Sequence, residues 1–166
     1  MFILFGFFTA CNTPEQSAKD QVIVVPKHSA PQEDDFKTFS FSCCSDPTAQ
    51  KTIDSYVQLT DALANDDSKQ SSKLGLSFLD LAIQHPSLKE ESDLVRPLWT
   101  DMEGIRANLS DISLLVIDLA KKNQSNSGKT IIAAFCPMAP GRWLQQRNEI
   151  HNPYYGSKML KCGVFE

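Results

Sequence analysis

The sequence predicts a mainly α-helical domain, an antiparallel bundle of three or four helices with a small C-terminal β-hairpin-like appendage. Three observations predict it. Apolar residues recur at helical spacing from Ile53 to Leu119, and polar or proline-containing breaks divide that region into stretches joined by short connections. The last third then switches to a short apolar run, Thr130–Cys136, ended by Pro137. The chain has 166 residues, 42% hydrophobic and 22% charged, which suits one domain plus linker and excludes wholesale disorder. No run of about 18 apolar residues exists to span a bilayer. The seven glycines form no phosphate-cradling loop.

In chain order, the first helix is expected over Thr52–Ala64, where Ile53, Tyr56, Val57 and Leu63 lie close to a 3.6-residue period. Asp46-Pro47-Thr48 supplies its start signal. Asn65-Asp66-Asp67 separates it from a second helix over Asp66–Gln84 and can cap that helix. His85-Pro86 stops the second helix. The third is the clearest. Leu98, Met102, Ile105, Leu109, Ile112, Val116 and Leu119 make one stripe down a helix of about 25 residues, some 37 Å long. Lys121-Lys122-Asn123 suits its C-terminal end, where cations meet the negative end of the dipole. The segment Met159–Phe165 is expected to pair with the strand Thr130–Cys136.

The N-terminal region reads as export apparatus. Residues 1–11 are expected to be the remnant of a signal peptide ending in a lipobox, Phe7-Phe8-Thr9-Ala10-Cys11, with Cys11 the lipidated residue. The apolar run from Phe2 to Phe8 is short and lacks a positive flank, so the expected start lies upstream or is assigned elsewhere. Residues 12–45 read as a polar, proline-broken tether that contains one β-like run, Val22–Val25. The helical domain is then 46–166. An acylated Cys11 would hold the protein on the periplasmic side of a bacterial membrane.

Charge is uneven. Residues 1–120 carry 9 basic and 18 acidic side chains, whereas residues 121–166 carry 7 and 2. The basic residues of the last third are dispersed and match no nucleic-acid module, so no nucleic-acid partner is expected. Asp66-Asp67 and Glu90-Glu91 are sequence neighbours that do not face each other on a helix, and they read as solvated. His28 and His85 read as exposed.

Of five cysteines, Cys11, Cys43, Cys44, Cys136 and Cys162, lipidation of the first leaves four, with three connectivities. Cys43 and Cys44 are adjacent; a bridge between neighbours is uncommon, and each can instead pair elsewhere or stay reduced on a metal. The C-terminal pair is bracketed by methionines, Cys136-x-Met138 and Met159-x-x-Cys162. Thiolates and thioethers select soft ions, above all Cu(I). Together the two pairs offer four soft ligands, with His151 as a fifth partner. Zinc fits less well, since no CxxC pair exists. Spacing alone favours a Cys136–Cys162 disulfide, which would close 25 intervening residues and contribute about 3–4 kcal/mol in the entropic model. Met138 and Met159 would then fill gaps in a small core. A Cys/His nucleophile is disfavoured, because no catalytic elbow surrounds either cysteine. No enzymatic activity is expected.

Cys136-Pro137-Met138-Ala139, Trp143-Leu144, Glu149-Ile150, Asn152-Pro153-Tyr154-Tyr155-Gly156 and Met159-x-x-Cys162-Gly163 resemble the signature of a bacterial domain of unknown function. That domain occurs in exported lipoproteins and fused to periplasmic adaptors of copper/silver efflux systems. The specific part of the resemblance covers residues 130–163, about a fifth of the chain. It implies a helical, heavy-metal-associated periplasmic module that binds Cu(I) or Ag(I) through Cys136, Met138, Met159 and Cys162, for buffering or hand-off to an efflux adaptor. Cys43-Cys44 lies outside the pattern. The other reading is a cell-envelope interaction module whose cysteines form disulfides only.

Overall fold

A computed structural model describes residues 40–125, 128–139 and 141–166. The predicted signal remnant, Cys11, His28 and most of the predicted tether lie outside the described residues. The chain is mainly α-helical with a small antiparallel sheet, in the order β1 (Ser40–Cys43), α1 (Pro47–Ala64), α2 (Ser68–Ala82), α3 (Pro86–Val95), α4 (Met102–Ala107), α5 (Leu109–Lys122), β2 (Lys129–Cys136), β3 (Gly141–Gln145) and β4 (Val164–Phe165). Among the described residues no helix is long and apolar enough to cross a membrane.

Side-chain caps define the first two helices. The Asp46 carboxylate accepts from the N–H of Thr48 at 2.9 Å and of Ala49 at 3.3 Å, and Pro47 occupies the first turn, where its missing N–H costs nothing. Asp66, at φ +54°, turns the chain, and Asp67 accepts from Gln70 N at 3.0 Å to open α2. α1 and α2 then bury Ile53, Tyr56, Leu59 and Leu63 with Phe78 and Leu79 in one core. The Phe78 ring lies 5.6 Å from Tyr56, edge-on, and 6.0 Å from Trp99, stacked. Tyr56 donates to Ser113 at 2.6 Å, and Ser113 in turn donates to Leu109 O at 2.7 Å.

Two expectations about this region are corrected, the exposure of His85 and the unbroken third helix. His85-Pro86 ends the second helix, but the same proline opens α3, because a residue that cannot continue a helix fits its first turn. His85 is buried rather than exposed. Its Nε2 lies 2.9 Å from the Thr52 hydroxyl. That hydroxyl donates its one proton to Thr48 O at 3.0 Å, so His85 Nε2 is the donor to Thr52. The predicted 25-residue helix is also broken. Asp101 accepts from Gly104 N at 2.8 Å and restarts the helix at Met102. Asn108 leaves helical geometry at φ −119°, and its side chain donates to Gly104 O at 2.9 Å. Asn competes for backbone groups in this way, which lowers its helix propensity. The stripe survives the break, since Ile105, Leu109, Ile112, Val116 and Leu119 are all buried. Leu98, before the restart, is exposed.

The sheet differs from the predicted appendage. β2 is its central strand. β3 pairs along one edge, from Ile132↔Gln145 to Cys136↔Gly141. β1 (Ser40↔Ile132 to Cys43↔Lys129) and β4 (Ala134↔Phe165, Phe135↔Val164) share the other edge. β1 lies within the segment read as tether, so the folded unit starts ahead of residue 46. Of the expected partner Met159–Phe165, only Val164–Phe165 forms a strand. The sheet is also not peripheral. Ile131, Ala133, Ala134, Cys136, Trp143 and Leu144 join the helices in one hydrophobic core, with β3 against α5 and α1.

Phe78→Ala is expected to cost about 3–5 kcal/mol in urea denaturation, as for a fully buried aromatic. Leu94→Ala, at a position 47% exposed, is expected to stay within about 0.5 kcal/mol of the parent.

Candidate functional site

The site is built where the end of β2 meets the loop that follows β3. Cys136, the last residue of β2, is wholly buried. Cys162, half-buried, is brought to it by the segment Asn152–Gly163, and the two free thiols lie 3.4 Å apart. Asn152 organises that segment. Its side chain is fully buried and makes three hydrogen bonds. Its Oδ1 accepts from Tyr154 N at 2.8 Å and Tyr155 N at 3.3 Å, and its Nδ2 donates to Cys162 O at 2.8 Å. Its backbone N donates to Leu160 O at 2.9 Å. Read from sequence as a turn signal, Asn152 is the polar hub that fixes where Cys162 stands.

Neighbouring residues lock the same loop. The Tyr154 hydroxyl donates to Arg142 O at 2.7 Å, and its ring packs edge-on against Trp143 at 6.1 Å. Burial pushes the Tyr154 phenol above its ordinary range, so it stays a donor. Gly163, at φ +148°, passes so close to the sheet that an added Cβ would sit 2.9 Å from the Trp143 ring and 3.0 Å from Phe135 O. That close approach sets Cys162 beside the end of β2.

A second anchor ties the loop to the helices. Arg106 donates to Leu63 O and Asp66 Oδ1, both at 2.6 Å, and to Pro153 O at 3.0 Å. Asp66 Oδ2 accepts from Ser157 N at 2.9 Å. Asp66 is therefore engaged rather than solvated as its Asp-Asp context suggested. Hydrogen bonds from Ser157 and then from Arg106 hold its carboxyl well below the usual carboxylate range.

Of the other predicted ligands, only His151 is shown in different surroundings. Met138 stands 61% exposed, with its carbonyl accepting from the Tyr155 hydroxyl at 3.0 Å. Met159 is half-buried at the start of the turn closed by Cys162 N donating to Met159 O at 2.9 Å. His151 lines a different cavity, with Asp61 and Arg147. Burial, then Arg147 and Lys161, push its pKa down. Among the described residues no group of three or more His, Cys, Asp or Glu side chains could hold a metal ion. Two adjacent thiols fit a soft ion. Cys43 and Cys44 are joined to each other as a vicinal disulfide rather than pairing elsewhere, and Cys136 and Cys162 are the free cysteines among the described residues.

Chemically, the pair can do two things. It can present two sulfurs to a soft cation, or it can oxidise by closing 3.4 Å to the about 2.05 Å of a disulfide. Hydrogen bonding to Cys136 and burial push the Cys162 thiol up. That lowers its thiolate fraction, which weighs equally on nucleophilic attack and on metal ligation. No family model, curated protein or solved structure matches the chain.

Asn152→Ala removes one acceptor for two N–H groups and the donor to Cys162 O. It is expected to cost about 2–3 kcal/mol in urea denaturation, and similar stability in parent and variant would contradict the hub. Asp66 gives a pH signature. A carboxyl with a depressed folded pKa stabilises above its unfolded value of about 3.9 and loses that contribution as pH falls. Between about pH 5 and 3, the parent is expected to lose stability more steeply than Asp66→Asn, measured by chemical denaturation at each pH.

Proposed function

We propose that the protein binds a soft monovalent cation, Cu(I) or Ag(I), for buffering or hand-off to an efflux system, and has no catalytic role. One observation carries this reading: two free thiols in contact at 3.4 Å, one buried and one half-buried. Soft thiolates prefer such ions over zinc or hard cations. Burial of Cys136 protects one ligand, and the partial exposure of Cys162 gives an incoming ion a route. Met159, on the same turn as Cys162, would complete the set, and exposed Met138, two residues from Cys136, would serve as a capture ligand. The motif resemblance of residues 130–163 supports the same reading, including a lipid anchor at Cys11, a periplasmic location and an efflux adaptor as recipient. In this reading the helices act as an antiparallel bundle-like platform for the loop.

The second reading is a cell-envelope interaction module whose cysteines form disulfides only. The 3.4 Å contact also favours it, because little movement would join the sulfurs.

Titration of the reduced full chain with Cu(I) against a competing chelator tests the proposal. Cys136→Ser/Cys162→Ser is expected to weaken binding by about 100-fold or more, while Cys43→Ser/Cys44→Ser leaves it unchanged. Equal affinity in parent and the Cys136/Cys162 variant would overturn the reading. A Cys136–Cys162 bridge that persists under mild reductant would favour the disulfide module.

A further inference from the structure

A cavity of about 300 Å³ lies away from the thiol pair, between α1 and the chain that follows β3. The sequence reading assigned it nothing beyond His151. Its wall is built rather than incidental. Gln145 is 4% exposed and spends one carboxamide on four partners. It accepts from Trp143 Nε1 at 2.9 Å and His151 N at 3.2 Å, and it donates to Arg147 O and Glu149 O, each at 2.7 Å. Those bonds fix the chain that carries Arg147 and His151, so the cavity is formed before anything binds.

The lining presents both signs of charge in equal number. Arg147 meets Asp61 through Nε at 2.7 Å and one Nη at 3.1 Å, which leaves its other Nη for a ligand. Lys129 approaches Asp54 at 3.4 Å and keeps further donors. Each carboxylate oxygen retains lone-pair capacity. His151 Nδ1 is buried and meets no hydrogen-bond partner among the described residues, so a ligand can reach it only if the ring turns toward the cavity. A balanced set of two cations and two carboxylates gives no net field to draw a simple anion or a simple cation. It complements a molecule that carries one charge of each sign. A volume of about 300 Å³ is enough to hold a free amino acid.

We propose that this cavity binds a small zwitterion of the amino-acid class. Its carboxylate lies toward Arg147 and Lys129, and its ammonium toward Asp61 and Asp54. The site is independent of the thiols, so it stands whether or not the protein takes a soft cation.

The test is a ¹H–¹⁵N titration of the reduced full chain with L-glutamine and L-serine. Succinate and putrescine serve as analogues that carry one sign of charge only. At least one amino acid is expected to give saturable shifts at Gln145, Arg147 and His151 by about 10 mM. Succinate and putrescine are expected to bind about tenfold more weakly, because each leaves one set of lining charges unmet. Arg147→Gln and Lys129→Gln, at half-exposed and exposed positions, are expected to keep the parent spectrum elsewhere and weaken the amino acid by about tenfold. Absence of saturable shifts with either amino acid, equal binding of a single-sign analogue, or parent-like affinity in both variants would each overturn the proposal.

Discussion

The buried carboxamide of Asn152 decides where the C-terminal loop stands. Its Oδ1 collects the N–H groups of Tyr154 and Tyr155, and its Nδ2 reaches Cys162 O. A fully buried amide must find partners or pay for desolvation, so the loop has little freedom to adopt another path. The Cys162 backbone is thereby held across from the end of β2, where the two sulfurs approach to 3.4 Å. Gly163 completes the arrangement, because only a residue without Cβ can run that close to Trp143 and Phe135 O.

The helices supply the other half of the frame. Arg106 stands at the junction of the α1 end, Asp66 and Pro153, with its side chain only 10% exposed. Buried guanidinium groups need several acceptors, and here two backbone carbonyls and a carboxylate provide them. Gly156, at φ +57°, fits beneath this cluster where any Cβ would collide with Asp66 and Arg106. Loop, sheet and helices therefore meet through polar groups that are individually satisfied, while the apolar core around Phe78, Trp99 and Ile112 supplies the bulk of the burial.

Much of the helical part was legible, because its signals are local. Asp46 and Asp67 announce their helices by capping, and the stripe from Ile105 to Leu119 shows its period directly. The break at Asn108 was not legible, since a regular stripe continues through it and only the side-chain bond to Gly104 O reveals the interruption. β3 escaped because its residues are almost uniformly buried, which erases the two-residue alternation that marks a half-exposed strand. β1 escaped because four residues carry too little pattern. At the site, cysteine counting singled out Cys136 and Cys162. Spacing could not tell that Met138 would stand exposed or that His151 would line another cavity. The roles of Arg106 and Gln145 depend on contacts across the fold, which no short window of sequence contains.

The central claim is that the contact between Cys136 and Cys162 is a soft-ion site. X-ray absorption at the copper edge, on Cu(I)-loaded full chain, addresses it most directly. The account predicts a first shell of sulfur that includes both thiolates, with a nitrogen or oxygen contribution entering in Cys162→Ser. A shell dominated by nitrogen or oxygen in the parent, or a spectrum unchanged by the substitution, would contradict it.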